Sequence, residues 1–246
     1  DMTQFELGNF LLKNKGLNGY WTSYIILRAP KKTDLSPLEA WVVNNAPAVK
    51  ATQERFHIFQ KEIQARLKSS MTLASAPCGL MDDLLGLDFS GCKDITLVGL
   101  DLDQKTLELA KDNAKRKRIA FAKFVKKDAW DLGHDERYEL LTSNGLNIYE
   151  PNDRRVISLY KGFHKVLKPN GVLITSFLTP PEVWKDVDPK DALKQKAIFG
   201  DIIQAGWQSF RTEAETREQL KKAGFKMVKF IYDSKGMFPT VIATKS

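Results

Sequence analysis

Met71-Thr-Leu-Ala-Ser-Ala-Pro-Cys-Gly79 is an apolar run that ends in a glycine-containing turn, and two similar runs follow: Thr96-Leu-Val-Gly-Leu-Asp101 and Lys123-Phe-Val-Lys-Lys-Asp128. Each has the length and composition of a β-strand, and each carries a turn or a carboxylate at its carboxyl end. In an open α/β sheet those ends converge on one crevice. A turn that admits a ligand close to the backbone and two acids able to accept hydrogen bonds then face one molecule, which is the layout of a nucleoside pocket.

Working outward, short β-rich runs alternate with helical ones from Met71 onward. This predicts a largely parallel sheet with helices on both faces. Strands are expected near 71–76, 95–100, 122–126, 138–143, 171–177, 226–232 and 239–244, with helices near 81–87, 104–117, 152–167 and 213–223. Pro169-Asn-Gly171 reads as the turn closing the fourth crossover. Only Asp233 to Phe238 separate the last two strands, too few residues for a helical crossover, so these strands must form a hairpin and leave an antiparallel final strand.

Residues 1–70 read differently. Phe5 to Lys15 is one candidate helix, Ser36-Pro37-Leu38-Glu39 has the residues of a helix start, and Ala51 to Leu67 places Phe56, Phe59, Ile63 and Leu67 on one side of a long helix. The expected organisation is a helical cap over 1–70 and a core over 71–246. A polar, proline-marked insertion at about 179–211 is not needed by the sheet and is a place for substrate recognition.

The order and spacing of the motifs, from about Met71 to the C-terminus, resemble the class I S-adenosylmethionine-dependent methyltransferases. The resemblance implies an α/β, Rossmann-like, seven-stranded and mostly parallel sheet with an antiparallel last strand, here beneath an N-terminal helical cap. It also implies S-adenosyl-L-methionine as cofactor and S-adenosyl-L-homocysteine as product. On that basis Ala76, Pro77 and Gly79 form the turn at the methionine end, and Asp101, followed by Leu102, holds the ribose hydroxyls. A carboxylate suits this role because its two oxygens accept from both hydroxyls. Asp103 is the alternative partner, and Asp101 could instead cap the next helix.

The same resemblance gives Asp128 the adenine amino group, the Ala129 amide a ring nitrogen, and Trp130 the face of the base. Asn144, at the end of the fourth strand and expected beside the reacting methyl group, completes the cofactor set, and with Asn147, Tyr149 and Glu150 it is also a candidate for binding the acceptor. The loop after it offers Tyr149 and Glu150 as candidate catalytic bases where an acceptor must lose a proton. The family pattern has an acid and a further glycine where this chain has Ser75 and Met81. The Asn-Pro-Pro-Tyr motif of amino-group methylases and the Pro-Cys of cytosine-ring methylases are both missing from the fourth strand.

Composition bounds the remaining readings. At 246 residues and 43% hydrophobic content the chain can bury one substantial core. No run approaches the roughly 20 apolar residues of a membrane span, and the first residues lack a secretory pattern, so a soluble cytoplasmic protein is expected. Two cysteines and three scattered histidines predict neither a metal site nor a disulfide. The net charge of +8 is concentrated in Lys111 to Arg118, which reads as the solvated face of a helix or as a nucleic-acid contact.

His164 reads as structural. Tyr20, Trp21 and Tyr24 read as packing between cap and core, with closure over a ligand as the alternative. The loop, cap and insertion point to a small-molecule acceptor. The basic balance keeps an RNA or protein acceptor as an alternative, and the departures at Ser75 and Met81 keep a catalytically silent nucleoside-binding module. A nicotinamide-dependent oxidoreductase is disfavoured because the first turn has one glycine where Gly-x-Gly-x-x-Gly needs three.

Overall fold

A computed structural model describes residues 1–207 and 209–245. Its centre is a seven-stranded sheet in the order β3-β2-β1-β4-β5-β7-β6. The strands are β1 (Thr72–Ser75), β2 (Thr96–Asp101), β3 (Ala122–Lys126), β4 (Tyr138–Ser143), β5 (Leu167–Ser176), β6 (Met227–Ile231) and β7 (Thr240–Thr244). Strands β1 to β5 pair in parallel, and β7 runs antiparallel between β5 and β6. The expected sheet and hairpin are therefore present.

Successive side chains of a strand point to opposite faces, and the sequence places apolar residues at both parities in the central strands. Ala74, Val98, Leu141 and Leu173 face one layer, where Tyr160, Phe163 and Leu220 are fully buried on helices α7 (Asp153–Val166) and α9 (Glu213–Lys222). Their neighbours Leu73, Leu97, Leu140 and Ile174 face the other layer. It is built by Phe59 and Ile63 of α4 (Pro47–Gln64), Leu84 of α5 (Asp82–Leu85) and Leu107 of α6 (Gln104–Arg116). Each such large side chain taken out of water stabilises the fold by about 1.5–3 kcal/mol.

Two elements differ from the sequence reading by more than two residues at a boundary. The long N-terminal helix runs over Pro47–Gln64 rather than 51–67, because Pro47 is preset for the first helical turn, where its missing N–H costs nothing. Pro169-Asn170-Gly171 lies within β5 as an irregularity. Asn170 adopts a left-handed φ of 62°, and the register with β4 shifts between Tyr138 and Leu140.

Before the sheet come α1 (Glu6–Asn14), α2 (Gly19–Ser23), α3 (Pro37–Asn44) and α4, and α4 is shared: Val49 and Phe56 join the apolar cluster of the first three helices, which cap the site, whereas Phe59 and Ile63 belong to the layer on the sheet. Ser36 caps α3 by accepting from the Glu39 amide at 3.3 Å, as its sequence context predicts. The insertion is not a separate flap. Its helix α8 (Pro189–Gln195) continues into a π-helical segment, Lys196–Ile202, and Ile198, Phe199, Ile203 and Ala205 share one apolar cluster with Leu7, Leu11 and Ile25 of the cap. Gln195 accepts from the Ala48 amide at 2.7 Å, Asp191 from the Trp41 indole at 2.9 Å, and the Lys15 carbonyl from the Gly206 amide at 2.7 Å. No helix among the described residues is long and apolar enough to cross a membrane.

Candidate active site

Where the strands end, cap and insertion roof a cavity of about 480 Å³ lined by residues from β1 and its turn, β2, the loop after β4, α4 and the insertion. That volume is of the size that holds a small organic molecule. Its floor on one side is the turn Pro77-Cys78-Gly79. Gly79 has a φ of 52°, a left-handed conformation that favours glycine. The cap touches this turn directly. A Cβ added to Gly19 would stand 2.5 Å from the Gly79 Cα, so both positions must be bare for the two backbones to meet.

A second clasp lies beside it, where Ser23 donates to the Asp82 carboxylate at 2.6 Å and Asn113 donates to its other oxygen at 2.8 Å. The position of the cap over the turn is thus fixed by backbone contact and by a satisfied carboxylate.

Asp101 ends β2 at the cavity wall. Its Oδ2 accepts from the Gly79 amide and its Oδ1 from the Asp103 amide, both at 3.1 Å. Each oxygen keeps a lone pair for a ligand. Burial is the largest influence on this carboxyl and raises its pKa, against the amide hydrogen bonds that lower it. Asp103, the alternative partner, caps α6 by accepting from the Lys105 amide at 3.1 Å and the Thr106 hydroxyl at 2.8 Å.

The expected site residues fall into two groups. Pro77, Gly79, Asp101, Asn144 and Tyr149 line the cavity together. Ala76 and Ala129 are instead buried in the sheet core, and Leu102 stands 61% exposed just past β2. Asp128 and Trp130 lie outside the cavity lining: Asp128 accepts from the Trp130 amide at 2.9 Å, and the indole donates to the Arg155 carbonyl at 3.0 Å.

Glu150 also stays out of the lining. Its carboxylate accepts from the Asn152 amide and pairs with Arg155, and these contacts hold its pKa below the usual carboxylate range. A carboxylate held ionised and already partnered is a weak proton acceptor. Burial pushes the Tyr149 phenol upward, so it remains protonated at neutral pH.

Other readings resolve in favour of packing. Tyr20, Trp21 and Tyr24 stack edge to face within the cap, and the Tyr24 hydroxyl donates to Glu39 at 2.7 Å. Cys78 is buried in the turn, and burial raises its thiol pKa well above neutrality, which leaves it unreactive. His164 packs edge-on against Phe225 on α7, behind the sheet. Lys111, Lys115, Arg116, Lys117 and Arg118 are exposed, while Asn113 and Ala114 between them are buried, so the basic run is the outer side of α6 and its C-terminal end.

Three residues with no motif of their own shape the site. Asp83 on α5 lines the cavity almost wholly buried, accepting from Thr142 at 2.6 Å and from Ser75 at 3.1 Å. A carboxylate therefore reaches Ser75, where the family pattern would have one on the strand itself. Burial raises its pKa.

Arg211, 4% exposed, holds the loop after β4 in place. Its Nη1 donates to the Asn147 carbonyl at 3.0 Å, its Nη2 to the Glu150 carbonyl at 2.7 Å, and its Nε to Asp153 at 3.1 Å. Arg55 on α4 enters the cavity from the roof. The signal that could have found it is a cation on the same helical stripe as Phe59, one turn away.

Two buried polar atoms at the cavity have no partner among the described residues: the Asn144 Oδ1 and the Arg55 Nε. Buried polar groups are satisfied in the great majority of folded proteins, so such a pair at one cavity marks where a ligand would complete them.

Comparison with known proteins agrees with this architecture. A family model described as a methyltransferase domain matches residues 78–171. An uncharacterized methyltransferase of Synechocystis is 29% identical over 179 residues, covering 72% of this chain and 76% of that one. A Bordetella parapertussis protein described as a possible exported protein is 43% identical and superposes with a TM-score of 0.96 over 99% of this chain and 84% of that one. The magnesium protoporphyrin IX methyltransferase of Synechocystis, solved with bound S-adenosylmethionine, shares 14% identity and the fold, with a TM-score of 0.61 and 98% coverage of both chains. Sheet order, first turn and family match converge on a methyltransferase domain, matched over residues 78–171, with the fold of the S-adenosylmethionine-dependent methyltransferases.

Proposed function

We propose that the protein transfers a methyl group from S-adenosyl-L-methionine to a small-molecule acceptor bound in the roofed cavity. The observation that carries this reading is the division of that cavity. Gly79 and Asp101 lie on the side of β1 and β2, and Asn144, Tyr149 and Arg55 lie on the side of β4 and β5.

The chain's groups fit the cofactor. Asp101 has acceptor capacity for two ribose hydroxyls, Gly79 leaves room against backbone, and the unpartnered Asn144 Oδ1 and the Asp83 carboxylate are acceptors suited to an ammonium group. Asp128 and Leu102, outside the lining, would meet the adenine ring at the open mouth. Bound there, S-adenosylmethionine supplies a methyl group on a positively charged sulfur, a good leaving group in an in-line displacement.

The residues of the chain then have three tasks. They hold the acceptor at near-attack distance, which alone can supply a large part of the acceleration. Cap and insertion, interlocked through Gln195, Asp191 and Gly206, exclude water above the reacting atoms. Tyr149, protonated and at the acceptor side, donates a hydrogen bond and orients the acceptor, and no protein base is required when the attacking atom arrives deprotonated.

Calorimetric titration with S-adenosylhomocysteine, with NAD as the control, tests the reading. Binding of the first and not of the second is expected. Absence of heat with S-adenosylhomocysteine removes the proposal and leaves a silent module.

A further inference from the structure

Arg55 is an unusual residue to find in the acceptor half of the cavity. It is 4% exposed, and no carboxylate lies within ion-pair distance of it among the described residues. A cation buried without a counter-ion is costly, and burial lowers its pKa to about 10, so the guanidinium remains charged at neutral pH. The carboxylate whose charge reaches it, Asp233, is already engaged: its oxygens accept from the amides of Lys235, Met237 and Phe238.

The guanidinium is nonetheless held in place. Nη1 donates to the Ser176 hydroxyl at 3.2 Å, at the carboxyl end of β5, and the group lies over the Phe238 ring, 5.0 Å from its centroid. With Nη1 taken, Nε has no partner and Nη2 has no hydrogen bond among the described residues. The Nε–Nη2 edge is the fork that matches a carboxylate with two parallel hydrogen bonds.

The position of this edge separates it from the cofactor. Ser176 belongs to β5, and Phe238 precedes β7, two and three strands from β1 in the sheet order. The turn at Gly79 and Asp101 belong to β1 and β2. Besides the Phe238 ring beneath the guanidinium, the cavity has apolar lining that includes Ile148, Phe199 and Val49.

We infer that the methyl acceptor is a largely apolar small molecule bearing a carboxylate, and that Arg55 binds that carboxylate through its free Nε–Nη2 edge. This rests on the proposed reading of the cavity as a methyltransferase site. The acceptor supplies the counter-ion that the fold withholds, so an uncharged analogue of the same shape leaves the guanidinium buried and unpaired and binds less well.

The test uses the protein saturated with S-adenosylhomocysteine and a series of probes: benzoate, 2-naphthoate and decanoate, each compared with its primary amide by calorimetry. At least one carboxylate is expected to bind about tenfold or more tighter than its amide. Arg55→Met, which replaces a buried cation with an apolar side chain of similar length, is expected to abolish that preference. Arg55→Lys is expected to restore part of it, with the affinity for S-adenosylhomocysteine unchanged in both variants.

Absence of a preference across the series, including absence of binding, overturns the inference, as does a preference that survives Arg55→Met. If Arg55→Met instead weakens S-adenosylhomocysteine binding, the guanidinium serves the methionine carboxylate and the inference is also overturned. Failure of the underlying reading is distinct: the wild-type protein then binds no S-adenosylhomocysteine, whatever the carboxylates do.

Discussion

The Ser75 hydroxyl on β1 donates to the Asp83 carboxylate on α5 at 3.1 Å, and Thr142 on β4 donates to the same oxygen at 2.6 Å. The acid that the family pattern places on the strand is returned from the following helix, and it ties together the two central strands on either side of the cavity floor.

This relationship predicts a pH dependence. Burial raises the Asp83 pKa above its ordinary 3.8. The folded protein therefore binds this proton more tightly than the unfolded chain, and the stability so gained is complete below the unfolded value and lost as pH rises through the folded one. Asp83→Asn has no such proton. The melting temperature of the wild type relative to Asp83→Asn is expected to fall as the pH rises from the ordinary carboxylate value of 3.8 upward. A difference that is flat or rises across that range contradicts the assignment.

Gly19 and Gly79 meet backbone to backbone, with 2.5 Å between an added Gly19 Cβ and the Gly79 Cα. Gly19→Ala must lift the cap from the turn, since no flexible side chain can yield. A loss of about 1–3 kcal/mol, typical of overpacking, is expected in denaturant unfolding, together with weaker S-adenosylhomocysteine binding. Unchanged stability and affinity would show that the cap does not rest on the turn.

The sheet was legible because its signals are local. Leu73 with Ala74, Leu97 with Val98 and Leu140 with Leu141 are paired apolar residues of strands buried on both faces, and Asp101 follows one of them directly. The site was legible only where a residue sits at a strand end, as Gly79, Asp101 and Asn144 do. Asp83, Arg55 and Arg211 were not, because each acts on a partner 8 or more residues away, and nothing in the sequence near Arg55 announces Ser176. Glu150 shows the reverse: in sequence it stands in the right loop, but Arg155, one helical turn further on, takes its charge.

Arg211 secures the loop that carries Asn144 and Tyr149 through three hydrogen bonds to Asn147, Glu150 and Asp153. Arg211→Ala leaves the Asn147 and Glu150 carbonyls without their donor and is expected to cost about 1–3 kcal/mol, the range for a buried polar group left unsatisfied. Arg211→Lys, a point charge without the fork, should recover a minor part of it. A loss under about 1 kcal/mol by chemical denaturation would mean that the loop holds itself.

Asp101→Ala removes the acceptor for two ribose hydroxyls. Hydrogen bonds to a charged group contribute about 1.5–3 kcal/mol each, so S-adenosylhomocysteine affinity should fall about a hundredfold or more by calorimetry. The sheet should survive, since the lost internal contacts are two amide hydrogen bonds at the strand end. Unchanged affinity would take Asp101 out of the site.

The most direct test is a crystal structure of the protein grown with saturating S-adenosylhomocysteine. The ribose is expected against Asp101, the amino-acid end at Gly79 and the sulfur toward Asn144, with open space left between it and Arg55. Electron density for the nucleoside anywhere outside that cavity, or an Asp101 carboxylate turned away from the ribose, would contradict the account.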